Sequence, residues 1–106
     1  MPHRIEEYTE GGWSPFGEWF DSLDPVAAAR VDRYIRRLEA GNFGAAKPLR
    51  KGVFELRLDF GPGYRVYYGL DGKTLVILLG GGDKRRQDAD VAAVVERWAQ
   101  YQKGKG

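Results

Sequence analysis

At 106 residues the chain has room for one domain built on a single modest core. It has no cysteine, which excludes disulfides and thiolate metal sites and is compatible with a reducing, cytoplasmic setting. A net charge of +2 conceals an asymmetry: residues 1–46 carry −3, residues 47–86 carry +5, and residues 87–106 carry zero.

The N-terminal Arg4 to Thr9 reads as a short strand anchored by Ile5 and Tyr8 and ended by Gly11-Gly12. It is not preceded by the apolar stretch of a signal peptide, so none is expected. Ser14-Pro15 then gives an N-cap followed by proline at the first helical position. Phe16, Trp19, Phe20 and Leu23 fall at helical spacing and predict a short helix with a buried aromatic face. Asp24-Pro25 repeats the start signal. Ala27, Val31, Tyr34, Ile35 and Leu38 form the apolar stripe of a second helix, with Asp32 and Arg36 paired four apart and Gly41 placed to stop it. Asn42 to Arg50 reads as a loop.

Alternation dominates the next stretch. Phe54, Leu56, Leu58 and Phe60 point one way, and Val53, Glu55, Arg57 and Asp59 the other. After a Gly61-Pro62-Gly63 turn, Tyr64, Val66 and Tyr68 lie opposite Arg65 and Tyr67. Asp71-Gly72 is a strong hairpin signal, and Lys73 to Leu79 is apolar on both faces, as in a strand covered on both sides. The longest apolar run, Thr74 to Leu79, falls far short of the roughly 20 residues that cross a bilayer, so no membrane is expected. The run Gly80 to Gln87 reads as a loop. Asp88 is expected to cap a last helix reaching about Tyr101, with Val91, Val94, Val95 and Trp98 as its stripe and a frayed Lys-Gly-Lys-Gly tail. The predicted order is β-α-α-β-β-β-α: one α+β domain over residues 1–106, with a curved, mainly antiparallel sheet packed on helices.

The chemistry is limited by what is missing. His3 is the only histidine, and the carboxylates show no two-metal spacing, so neither a metal nor a cofactor is expected. The Gly80–Arg85 run lacks the lysine–serine/threonine ending of a P-loop. What remains is basic charge on a sheet. Glu55, Arg57, Arg65 and Tyr67 are expected on one wet face, close to the Lys84-Arg85-Arg86 loop, as a concave polyanion site with tyrosines to stack on bases. The alternative is a set of cross-strand ion pairs from Glu55 to Arg57 or Arg65.

The motifs Glu55-Leu56-Arg57, Gly61 to Tyr68 (GPGYRVYY) and Leu78 to Lys84 (LLGGGDK), taken together, resemble the RelE/ParE toxin superfamily. The likeness is greatest to its phage-derived Gp49-like or HigB-like addiction module killer group and runs from about Leu49 to Trp98. The resemblance implies a RelE-like fold and the toxin of a type II toxin–antitoxin system. Its expected partners are an antitoxin of the helix-turn-helix kind, the ribosome and mRNA; a homodimer and a hetero-oligomer with the antitoxin both stay open. The activity implied is ribosome-dependent mRNA cleavage without metal, with a ParE-like inhibitor of DNA gyrase and a degenerate toxin that only binds its antitoxin as alternatives. The family's strand arginine falls on Arg65, and its basic residue after the last strand on Lys84 or Arg85. No residue matches the family's C-terminal catalytic tyrosine by motif; Tyr101 holds that place by position alone.

This chemistry suits the residues. Attack by a 2′-hydroxyl needs a base, an acid and positive charge on the phosphorane; arginines supply the charge, and a lysine crowded by like charges can serve as base. Arg65, Lys84 and Arg57 are therefore the expected catalytic residues, and Lys51, Tyr67, Arg85 and Arg86 the expected RNA-binding ones. If Arg65 lies on a wet face, its replacement by alanine should leave the fold intact, whereas Val66→Ala should open a cavity.

Overall fold

The computed structural model describes residues 2–44 and 46–105. Its elements are β1 (Arg4–Glu7), α1 (Pro15–Asp21), α2 (Pro25–Glu39), β2 (Ala46–Pro48), β3 (Val53–Arg57), β4 (Arg65–Asp71), β5 (Leu75–Gly82), a 3-10 turn (Lys84–Arg86) and α3 (Gln87–Lys105). The predicted order holds with one strand added: β2 lies within the stretch read as a loop.

The helix starts are set by the expected side chains. Ser14 accepts the Gly17 N–H at 2.9 Å, and Asp24 accepts the Ala27 N–H at 2.9 Å, each with proline next in line. A cap of this kind stabilises a helix by about 1 kcal/mol. Gly41, at φ 90°, takes the left-handed conformation that ends α2. At the other helix, Gln87 is the first residue, one before the expected start. Asp83 caps the 3-10 turn ahead of it by accepting the Arg85 N–H at 2.9 Å. The helix continues through Lys105, where the sequence suggests fraying. Asp71 holds that end, accepting from the Tyr101 hydroxyl at 2.6 Å and pairing with Lys105.

The five strands run in the order β1-β5-β4-β3-β2. β2 to β5 are antiparallel neighbours, while β1 returns to pair in parallel with β5, Arg4 opposite Leu75. The sheet is covered on both faces. Leu56, Leu58, Val66, Tyr68, Val76 and Leu78 bury one face under α1 and α2. Val53, Tyr67, Ile77 and Leu79 bury the other under Val94 and Trp98 of α3. The two-faced apolar character of β5 is thereby explained, since it is the strand that touches both helical layers.

Gly80, Gly81 and Gly82 continue β5 and are not a loop. They are glycines because helices crowd the strand end from both sides. A Cβ on Gly81 would overlap the Trp19 ring of α1. On the opposite face, one on Gly80 would meet the Arg97 guanidinium at 2.9 Å, and one on Gly82 would overlap the Asp90 carboxylate.

A candidate basic site at one end of the sheet

The register of β3 and β4 sets the centre of the site. Glu55 pairs with Tyr67 and Arg57 with Arg65, so all four side chains share the face toward α3, as alternation requires. That face is not wet. Glu55 and Tyr67 are 0 % exposed and Arg65 is 5 % exposed, because the start of α3 lies over them. Gln87, the first residue of α3, donates to Glu55 Oε2 at 2.9 Å.

A buried charge must find a counter-charge, and here Glu55 gathers several. Arg65 Nε lies 3.7 Å from its carboxylate, Arg57 3.6 Å and Lys47 3.9 Å. Arg65 is further fixed by donating to the Gly63 carbonyl at 2.6 Å. The cross-strand ion pairs of the alternative reading thus exist. They leave Arg57 and Lys47 more than half exposed, as a basic rim over a buried core.

Lys84 closes the rim from the other side. The Gly61–Gly63 turn folds against the chain beyond β5, where the Lys84 N–H donates to the Pro62 carbonyl at 3.4 Å. A Cβ at Gly63 would touch both the Arg65 guanidinium, at 3.1 Å, and Lys84 Cβ, at 3.3 Å. Arg57, Arg65 and Lys84 therefore come together. Arg85 and Arg86 follow in the exposed 3-10 turn. Arg85 leans back on Asp83 at 3.1 Å, which holds that carboxyl below its usual pKa range.

Other expected contributors fall elsewhere. Tyr67 cannot stack on a base: it is sealed beneath α3, and burial together with the nearby Glu55 charge raises its pKa. Its hydroxyl, Glu55 Oε1 and Arg65 Nε are buried without a hydrogen-bond partner among the described residues, so the cluster is incompletely satisfied. Lys51 is exposed in the turn ahead of β3, six residues from Arg57 and so about 20 Å along the strand. Tyr101 sits at the far end of β4, bonded to Asp71, a similar distance from Arg65. Burial and that hydrogen bond push its pKa up to about 12.

Two residues near the site were missed in the sequence. Lys47 was hidden because a three-residue strand ending in proline gives almost no periodic signal. Asp90, in the first turn of α3, rests on Gly82, the β5 partner of Arg65, and desolvation raises its pKa. The three glycines were the available clue to such a close neighbour. Among the described residues no three His, Asp or Glu side chains gather as metal ligands. The arrangement is suited to holding an anion, with guanidinium and ammonium groups converging above a rigid ion pair.

The model of the phage-derived protein Gp49-like family matches residues 18–96, from α1 into α3. The chain belongs to the Gp49-like family. An uncharacterized protein of Haemophilus influenzae is 48 % identical over 77 residues, covering 72 % of this chain and 78 % of its own. Among solved structures, an arginine-to-alanine double mutant of the Escherichia coli toxin RelE in the free state superposes with a TM-score of 0.68. It covers 92 % of this chain and 98 % of its own at 19 % identity, so this Gp49-like chain has the RelE fold. In that fold the basic rim sits where β3, β4 and the chain leaving β5 meet.

Proposed function

We propose that this Gp49-like chain is the toxin of a type II toxin–antitoxin system and acts as a metal-independent, ribosome-dependent mRNA endonuclease in the cytoplasm. The observation that carries the reading is the convergence of Arg57, Arg65 and Lys84 around the Gly61–Gly63 turn. In this scheme the 2′-hydroxyl of the mRNA attacks the neighbouring phosphorus. The 5′-oxygen leaves, and a 2′,3′-cyclic phosphate and a 5′-hydroxyl result. Arg57 bears on the non-bridging oxygens as negative charge grows there. Arg65, gripped by Glu55 and the Gly63 carbonyl, presents its guanidinium in one fixed orientation, so little reorganisation accompanies the reaction. Lys84 is placed for proton transfer, and Lys47, Arg85 and Arg86 hold the flanking backbone. The partner in the cell is an antitoxin, expected to be of the helix-turn-helix kind.

The near-complete burial of Arg65 favours a second reading, in which the chain works by binding alone, as a ParE-like inhibitor of DNA gyrase. One experiment separates the two. Purified protein is added to a translation reaction carrying a defined mRNA, and separately to a gyrase supercoiling assay. Cleavage of the mRNA that disappears when ribosomes are omitted is the expected result. Intact mRNA together with blocked supercoiling would replace the nuclease with the gyrase inhibitor.

A further inference from the structure

Opposite the basic rim, the sheet ends in β1, and this edge is open. A strand in parallel pairing bonds its neighbour through alternate residues. The Arg4 N–H donates to the carbonyl of Thr74, just ahead of β5, at 2.7 Å, and the Tyr8 N–H to that of Leu78 on β5 at 2.9 Å. Ile5 and Glu7 therefore turn their main-chain groups away from the sheet. His3 marks where the opening ends, since its N–H already donates to the Glu39 carbonyl of α2 at 2.6 Å. The other edge is protected: β2 is three residues long, carries Lys47 and closes with Pro48.

A cleft of about 540 Å³ runs beside the open edge, between β1 and α2, with α1 at its end. The apolar part of its floor is the half-buried Ile5 and Phe20, with Phe16, Ile35 and Leu78 buried beneath them. Its rim is acidic, from Glu7, Asp32 and Glu39; Glu6 also borders it but is paired with Arg4. Among the described residues, the one cation lining it, Arg36, is occupied between Asp32 at 3.6 Å and Glu39 at 2.8 Å. Main-chain donors and acceptors, an apolar trough and excess negative charge thus meet along one strand.

We propose that the β1 edge docks an extended segment of a protein partner, added to the sheet as a sixth strand and alternating basic with apolar side chains. The open backbone groups of Ile5 and Glu7 supply the hydrogen bonds of strand addition. The trough takes the apolar side chains, and the carboxylate rim selects basic ones over acidic ones. The edge lies three strand spacings from β3, about 14 Å, and carries charge opposite to the basic rim. A polyanion on the rim and a basic segment on the edge can then be held together without competing. The proposal does not rest on the nuclease reading.

The test uses blocked eight-residue peptides titrated into the ¹⁵N-labelled full chain. A peptide alternating lysine and valine should shift the Ile5 and Glu7 amides and slow their hydrogen exchange at least tenfold. Replacing its lysines with glutamates, or methylating alternate backbone amides, should weaken binding at least tenfold. So should the exposed double substitution Asp32→Lys/Glu39→Lys at unchanged Tm. The proposal is overturned if the peptide does not bind, if its effects map away from β1, or if the acidic or methylated peptides bind equally well. Protection of the same amides by self-association, seen as a dimer in sedimentation without peptide, would likewise replace the partner segment with a second copy of the chain.

Discussion

The Arg65 guanidinium and the Glu55 carboxylate face each other at 3.7 Å on adjacent strands, with side chains 6 % and 0 % exposed. A wet-face arginine could be removed without harm to the fold; this one cannot. Arg65→Ala should destabilise the domain by about 3–5 kcal/mol, because it strands a buried carboxylate. Adding Glu55→Gln should restore much of the loss, with a coupling energy above ~1 kcal/mol in urea denaturation. If Arg65→Ala melts like wild type, the pair does not bear on stability. By comparison, Val66→Ala empties a fully buried site on the α1–α2 face and should cost about 2 kcal/mol.

Activity is therefore better tested at Arg57, whose side chain is 55 % exposed. Arg57→Ala should leave stability within about 0.5 kcal/mol of wild type. On the proposed function, its rate of ribosome-dependent mRNA cleavage should fall by about 10²–10³, the usual loss for one preorganised donor. Arg57→Lys should recover little, since a point charge does not reproduce the planar fork. Full-rate cleavage by the alanine variant would show that the rim arginine takes no part in the reaction.

The glycine run makes a steric prediction. Gly81→Ala drives a methyl into the Trp19 ring and should cost about 1–3 kcal/mol, and shortening Trp19 to leucine should recover part of it. Gly72→Ala meets nothing within 4 Å but must adopt φ +70°, so its cost of about 1 kcal/mol should be indifferent to every neighbour. Thermal denaturation of the single and double variants distinguishes packing from backbone strain.

The end of α3 should respond to acid. Hydrogen bonds from Lys105 and Tyr101 hold Asp71 below its ordinary value of 3.8. A depressed carboxyl contributes stability at pH above its unfolded value, and loses it as pH falls through the folded one. Amides from Gln102 to Lys105 should therefore exchange faster relative to the rest of α3 once pH drops below about 3.8. Asp71→Asn should show the same fraying at neutral pH. Exchange in that turn that tracks the remainder of the helix at every pH would remove Asp71 as its anchor.

Most of the fold was legible because its signals are local. Ser14, Asp24 and Gly41 mark helix ends, and the alternation of Phe54 to Phe60 and Tyr64 to Tyr68 assigns the faces correctly. The failures come from long-range packing. Glycine in sequence signals flexibility, yet Gly80 to Gly82 are fixed in a strand by Trp19, Arg97 and Asp90, which no local pattern reveals. The polar face of β3 and β4 reads as solvated from composition alone. The correction was available in β5: a strand apolar on both faces requires a second cover, and a cover wide enough for β5 also reaches Tyr67, Arg65 and Glu55. Of the candidate site, the grouping of Arg57, Arg65 and Lys84 follows from alternation and a turn. The counter-ion role of Glu55 and the approach of Lys47 depend on register and on a strand too short to read.

The parallel pairing of β1 with β5 places the closure of the sheet late in folding. Arg4 meets Leu75 only after some two-thirds of the chain has been assembled between them, whereas β3, β4 and β5 are joined by short turns. Contacts of such wide sequence separation form slowly, because loop closure precedes any gain from pairing. During that interval one side of β5, the most apolar strand, stays unpaired and open to other chains. The first few residues thus act as a late clasp: a chain lacking Arg4–Glu7 would keep its hairpins but expose the strand most prone to aggregate.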